Sequence, residues 1–274
     1  MHADSRTSTS DSSVENKSAL GFTTTTPRRR SVRFTLSLIF LLIVSVVMAM
    51  ATKPARATDF DALSILSPNQ FETLIENIGA ATHYKAIAPA EPLGLIGFDI
   101  AIELSATELD DDLFDIAAGG DFGVSQFFLP RLHVHKGLPF GIDIGGSIAA
   151  IPETDFQVIG AEVRYAILRG SILTPAVALR GTYSFTTGVD ELDVTNAGLE
   201  LSISKGFAFL TPYAGLGIIR TTGDPGSGVA QSEESVNLEK TYVGININLG
   251  FNLGFEIDRT GDFTTFSGKA GIRF

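Results

Sequence analysis

The chain has no cysteine and no tryptophan, and only four histidines among its 274 residues. Without cysteine there can be no disulfide, no thiolate metal ligand and no thiol nucleophile. Apolar residues make up 44% of the chain, far below a helical membrane protein, and the one long apolar run lies near the start, from Phe34 to about Met50. Basic residues are scarce beyond that run. Residues 1 to 57 carry eight basic and three acidic side chains, so the remaining twelve basic and twenty-eight acidic residues stand at a net charge of -16. Phosphate recognition needs basic patches, and this composition excludes a nucleic-acid binder as the simple reading.

Residues 1 to 27 are rich in Ser and Thr and read as disordered. Arg28, Arg29, Arg30 and Arg33 then precede the apolar run, and two small-x-small sites follow at Ala49 to Ala51 and Ala55 to Ala57. Basic, apolar and cleavable segments in that order predict a secretory signal peptide. The expected organisation is a leader and signal peptide over 1 to 57, a helical segment and linker over 58 to 93, and a β-domain over 94 to 274.

Ser67, Pro68 and Gly79 punctuate a short amphipathic helix whose apolar residues are Phe71, Leu74, Ile75 and Ile78. Ser at the N-cap and Pro at the first helical position are favourable starts, and Gly79 is read as the stop. The plain reading is a helix packed over whatever core lies nearby; plugging a barrel lumen, lying on the membrane surface and covering the periplasmic mouth are the other placements. Ala86 to Pro92 reads as a linker.

From Leu95 onward the period changes to two. Ile96, Phe98, Ile100, Ile102 and Leu104 alternate with Gly97, Asp99, Ala101, Glu103 and Ser105, and the habit recurs in ten segments that end with Phe266 to Phe274. One face of each segment is apolar. The other mixes Gly, Ala and Ser with charges of both signs, unlike the Lys, Glu, Thr and Gln of a solvated sheet. Small residues beside opposite charges suit a confined interior.

This pattern, with short even-numbered connections, acidic odd-numbered ones and a closing strand that ends on Phe274, resembles the bacterial outer-membrane β-barrels, a Gram-negative class that includes porin-like proteins. The resemblance covers about residues 94 to 274. In one respect the chain departs from it: the closing-strand motif has glycine five residues before the final aromatic, where Lys269 stands here. The resemblance implies an all-β, antiparallel, up-and-down transmembrane barrel of about ten strands. It also implies outer-membrane lipid and the barrel-assembly machinery as partners, a monomeric state, and Ile272 with Phe274 as the assembly signal.

On that reading Asp99, Glu103, Arg131, His133, His135, Asp143, Glu162, Arg164, Arg180, Glu200, Glu256, Lys269 and Arg273 line the lumen, with Glu256 and Lys269 pairing across adjacent strands. His133 and His135 beside Asp143 form the nearest approach to a catalytic or metal constellation, but two histidines without a third ligand are weak evidence for either. No cofactor or metal is assigned. The acidic run Glu108 to Asp115 lacks the spacing of a dedicated Ca²⁺ loop and reads as a solvated connection. The function expected is structural, or a narrow passive channel for small solutes. A soluble or periplasmic barrel holding an apolar ligand is the alternative, and an outer-membrane lipid hydrolase the third.

Overall fold

A computed structural model describes residues 63 to 109, 113, 116, 125 to 151, 154 to 227 and 229 to 274. The leader and signal peptide expected over 1 to 57 lie outside the described residues, as does most of the acidic run from Glu108 to Asp115.

Ten antiparallel strands close into a single barrel in chain order. They are β1 (Phe98–Glu108), β2 (Gln126–Gly137), β3 (Ile142–Ala150), β4 (Gln157–Arg169), β5 (Ala176–Thr187), β6 (Leu192–Ser204), β7 (Leu210–Pro225), β8 (Glu234–Asn248), β9 (Asn252–Thr260) and β10 (Phe263–Arg273). Closure is made by β10 against β1, with Asp99 opposite Arg273 and Glu103 opposite Lys269. No sheet edge is left open, so no row of unpaired backbone groups faces outward. The barrel expected from the alternation is the one observed.

Both ends of the barrel chain lie at one rim, together with the short connections 138 to 141, 170 to 175, 205 to 209 and 249 to 251. This rim is called the turn end. The opposite, loop end carries connections 109 to 125, 151 to 156, 188 to 191, 226 to 233 and 261 to 262. Only the first and fourth of these are long. The strands on either side of the fourth are long as well: β7 has 16 residues and β8 has 15, against 9 in β3. At about 3.4 Å per residue β7 extends for roughly 54 Å, well beyond the roughly 25 Å apolar band of a membrane barrel even when tilted. Strands β6 to β8 therefore form a wall that stands above the rest.

The apolar side chains of the alternation point outward. Ile100, Leu132, Val163, Leu199, Val243 and Ile257 are all exposed, with Val163 and Val243 at 56% and 59%. Charged and small side chains point inward. This is the inverse of a soluble protein, and it is the arrangement that a lipid solvent demands.

One helix accompanies the barrel. The helix α1 (Pro68–Thr82) begins with a capping box, in which the Ser67 side chain accepts from Gln70 N and the Gln70 side chain accepts from Ser67 N. It does not stop at Gly79 as the sequence suggested, but continues three residues to Thr82. Gly79 serves packing instead: a Cβ there would lie 2.3 Å from Thr221 Oγ1 on β7, so only glycine lets the helix approach the wall.

Candidate functional site

The lumen is the site, and residues 63 to 93 occupy it. Phe71, Leu74, Ile75 and Ile78 of α1 are buried with Leu63 and Leu66 against Leu192, Val194, Ile219, Val236 and Leu238. These wall residues lie on β6, β7 and β8 toward the loop end, and there the inward face is apolar while the outward neighbours Asp193, Arg220, Asn237 and Glu239 are exposed. The tall wall thus has its own small hydrophobic core with α1. Burying four large apolar side chains contributes roughly 6 to 12 kcal/mol before the entropy of ordering the helix is subtracted.

Below α1 the chain runs extended through the barrel. The stretch expected to be a linker, Ala86 to Pro92, is for the most part deeply buried: Ala86, Ile87, Ala88 and Ala90 have almost no contact with solvent, and neither do His83, Tyr84 and Lys85 above them. The wall makes room with glycines. A Cβ on Gly160 would lie 2.7 Å from the Tyr84 ring, and one on Gly254 would lie 2.9 Å from Ile87 Cγ2. Ile87 itself holds a left-handed backbone, φ 43°, which a β-branched residue adopts only when its surroundings enforce it.

The four candidate arginines share one role. Each donates to a backbone carbonyl of the threaded segment: Arg131 to His83 (3.4 Å), Arg180 to Ala88 (3.3 Å), Arg164 to Pro89 (2.8 Å) and Arg273 to Glu91 (3.3 Å). Ser184 Oγ adds a bond to the carbonyl of Thr82 at 3.1 Å. Inside a barrel an extended segment has no ladder partner, and these donors satisfy the carbonyls that would otherwise be orphaned.

Every arginine is also tied to a wall carboxylate. Arg131 pairs with Glu103 at 3.0 Å, and His133 Nε2 makes a short contact to the other oxygen of the same group. Arg164 pairs with Asp143 at 2.6 Å, while Lys269 and Arg273 share Asp99 at 3.0 and 3.4 Å. A longer chain joins Lys240 to Glu200 (3.1 Å), Glu200 to Arg180 (3.0 Å) and Arg180 to Glu162 (3.2 Å). His135 lies 3.6 Å from Glu162 and meets the Tyr84 hydroxyl at 2.8 Å.

Lys85 completes this charge pattern. Among the described residues the wall directs seven carboxylates inward, Asp99, Glu103, Asp143, Glu162, Glu200, Glu256 and Asp258, against six cations, Arg131, Arg164, Arg180, Lys240, Lys269 and Arg273. The seventh cation is on the threaded segment. Lys85 Nζ donates to Asp258 at 3.0 Å and to Thr265 Oγ1 at 3.3 Å, and lies 3.2 Å from His83 Nε2. His83 Nδ1 lies 3.2 Å from the carbonyl of Gly79. That pair of contacts fits one arrangement: a neutral imidazole that donates through Nδ1 and accepts from the ammonium through Nε2.

All thirteen candidates thus lie on the inner face of the barrel, though not in the pairs foreseen. Lys269 pairs with Asp99, and Glu256 accepts from the Tyr213 hydroxyl at 2.9 Å. The register explains the difference: Glu256 stands opposite Ser267, and Lys269 opposite Glu103 of β1 and Gly254 of β9. Asp143 is taken by Arg164 and meets neither histidine. Sequence reasoning missed Lys85, Lys240 and Tyr84. Lys240 carried a signal, since it is two residues before Tyr242 and so on the same face, whereas Lys85 lay in an apparent linker and carried none. Among the described residues no cluster of three or more His, Asp or Glu side chains is arranged to hold a metal.

The chain matches no protein-family model, and no curated protein matches it. Solved structures similar to it include the N-terminal β-barrel domain of OprF from Pseudomonas aeruginosa, 12% identical over 64% of this chain and 97% of that one, with a TM-score of 0.33. The translocator domain of the autotransporter NalP from Neisseria meningitidis is 11% identical over 65% of this chain and 87% of that one, with a TM-score of 0.36. LpxR from Salmonella typhimurium is 12% identical over 64% of this chain and all (100%) of that one, with a TM-score of 0.30.

Proposed function

We propose that the protein is a monomeric barrel of the bacterial outer membrane that acts structurally, its lumen held shut by its own N-terminal segment. The observation that carries this reading is the complete burial of Lys85 in the lumen, paired with Asp258 and flanked by buried residues on either side. A passive channel needs a continuous aqueous path. Here that path is filled by side chains, and the charges that would select solutes are used to hold the filling in place. An apolar exterior and a charged interior favour a membrane barrel over a soluble one that binds an apolar ligand, which would need the opposite. No catalytic step is assigned: His133 and His135 are buried, His133 against Glu103 and His135 against Tyr84 and Glu162. Outer-membrane lipid is the expected solvent for the exterior, and Ile272 on the last strand and Phe274 just after it, both exposed, are the residues expected to be read by the assembly machinery. Planar-bilayer recording of the full chain tests the reading. Silence is expected, and a steady ohmic conductance would refute the closed lumen.

A further inference from the structure

The outer face of β8, β9 and β10 is more than a plain apolar band. Phe255, Ile257 and Arg259 stand in one outward column on β9. Ile245 and Gly268 flank the first of them, Val243 and Phe266 the second, Thr241 and Thr264 the third. The two apolar rows line an open groove of about 600 Å³. Gly268 leaves it empty: a Cβ built there would meet nothing closer than Phe255 Cδ1, at 4.0 Å, so packing does not demand a glycine and no neighbouring side chain fills the space. The third row is polar and lies nearer the loop end. The Arg259 guanidinium, 64% exposed, donates to the carbonyl of Gly261 at 3.3 Å and pairs with Asp262 at 3.1 Å. Asp262 is 95% exposed, and an ion pair so open to water contributes little, which leaves Arg259 free to exchange it for a stronger anion. This row also lies where β8 reverses its sense: Val243 and Ile245 are outward on one side of Thr241, while Leu238 and Val236 on the other are inward.

We propose that this face binds a phosphorylated, acylated lipid of the outer leaflet, with an acyl chain in the groove beside Gly268 and the phosphate on Arg259 in the row of Thr241 and Thr264. This rests on the outer-membrane reading above, with the loop end external. The reversal of β8 marks the level at which headgroups begin, and Arg259 stands at that level with the groove on its acyl side. Guanidinium N–H groups match phosphate oxygens in pairs, and the two threonine hydroxyls are further donors beside them. General solvation by lipid needs neither the gap nor the cation. Gly268 and Arg259 are four residues apart in register, roughly 14 Å along β9, so a single molecule with a chain and a phosphate reaches both. Free phosphate would leave the groove empty, and a lipid without phosphate would leave Arg259 to Asp262.

The test is native mass spectrometry of the protein extracted from membranes in detergent, titrated with dipalmitoyl phosphatidic acid and, as the phosphate-free counterpart, dipalmitoylglycerol. The expected result is one retained phosphatidic acid, held about tenfold better than dipalmitoylglycerol, as the loss of a charged hydrogen bond predicts. Arg259→Gln should lower that retention about tenfold, and Gly268→Leu, whose side chain would occupy the groove, by a similar factor. Both positions face outward and Gly268 has room for a side chain, so the heat-modifiable gel shift of each variant should match that of the unaltered protein. Asp262→Asn, which frees Arg259, should retain at least as much lipid. Equal retention by the unaltered protein, Arg259→Gln and Gly268→Leu would show an unspecific lipid coat and overturn the site. A loss in Arg259→Gln alone would reduce it to a phosphate contact and overturn the groove as the acyl seat. Recovery of the protein in the aqueous fraction without detergent would instead refute the membrane reading on which the site rests.

Discussion

Lys85→Met is the most informative single perturbation of this molecule. It removes the one cation that the threaded segment supplies and leaves Asp258 buried, with the Thr260 hydroxyl at 2.9 Å as its remaining donor. Removing one partner of a buried ion pair costs about 3 to 5 kcal/mol, because the other charge is left uncompensated. The lower figure applies here, since Thr260 still bonds Asp258 and an opened lumen would admit water. Against it stands the apolar seat of α1, worth roughly 6 to 12 kcal/mol before ordering entropy. The seat wins, so the segment stays threaded and the loss is read as weaker closure. A cost of about 3 kcal/mol corresponds to about a hundredfold larger population of loosened states. The assay is a double-mutant cycle with Asp258→Asn, read by the temperature of the heat-modifiable gel shift and by brief conductance events in planar bilayers. Each single variant should shift to lower temperature and show more frequent events. The double variant should lose less than the two together, by about 1 to 3 kcal/mol. Strict additivity, or a silent and unshifted Lys85→Met, would refute the pairing on which the closed lumen rests.

Two other outcomes follow from the same geometry. Replacing His133 and His135 together by Ala should lower the gel-shift temperature without reducing the amount in the outer membrane. The Tyr84 hydroxyl loses its partner and Glu103 one of its two, at about 1 to 3 kcal/mol for each orphaned group, and an unchanged temperature would show that these bonds contribute nothing. Deleting Phe274 should leave export intact while reducing barrel insertion several-fold, as measured by the heat-modifiable fraction in isolated outer membranes; full insertion would remove the terminal aromatic from the assembly signal.

The barrel was legible in the sequence because a lipid-facing strand must be apolar on alternate residues, and ten segments obey that rule. Its upper edge was not. Beyond Ile218 on β7 and before Lys240 on β8 the parity reverses, with Ile219, Val236 and Leu238 inward and Arg220, Asn237 and Glu239 outward. Outside the membrane the solvent is water, and the strand takes the ordinary amphipathic sense toward the helix it covers. A search for apolar-out alternation therefore starts β8 at Tyr242, eight residues late. The reversal point is itself information: on the outer-membrane reading it marks where the wall leaves the membrane, and it identifies the inward apolar residues that await a partner.

The site was half legible for a related reason. The inward charges could be named from parity alone, since each strand residue has only two faces to choose between. Their partners could not, because register depends on turn geometry, and a shift of two residues keeps the face while changing the pair. The threaded segment was hidden more deeply. Ala86, Ile87, Ala88, Pro89 and Ala90 show no strand alternation and no helical stripe, because the lumen surrounds them on all sides and grips their backbone rather than their side chains. With the structure in hand a surplus appears: the ten strands direct seven carboxylates inward against six cations, one acidic group more than the wall's own basic ones. In a confined lumen that imbalance calls for a cation from outside the wall. Of the buried residues of the N-terminal segment, Lys85 is the one lysine or arginine, so the charge count and the packing point to the same residue.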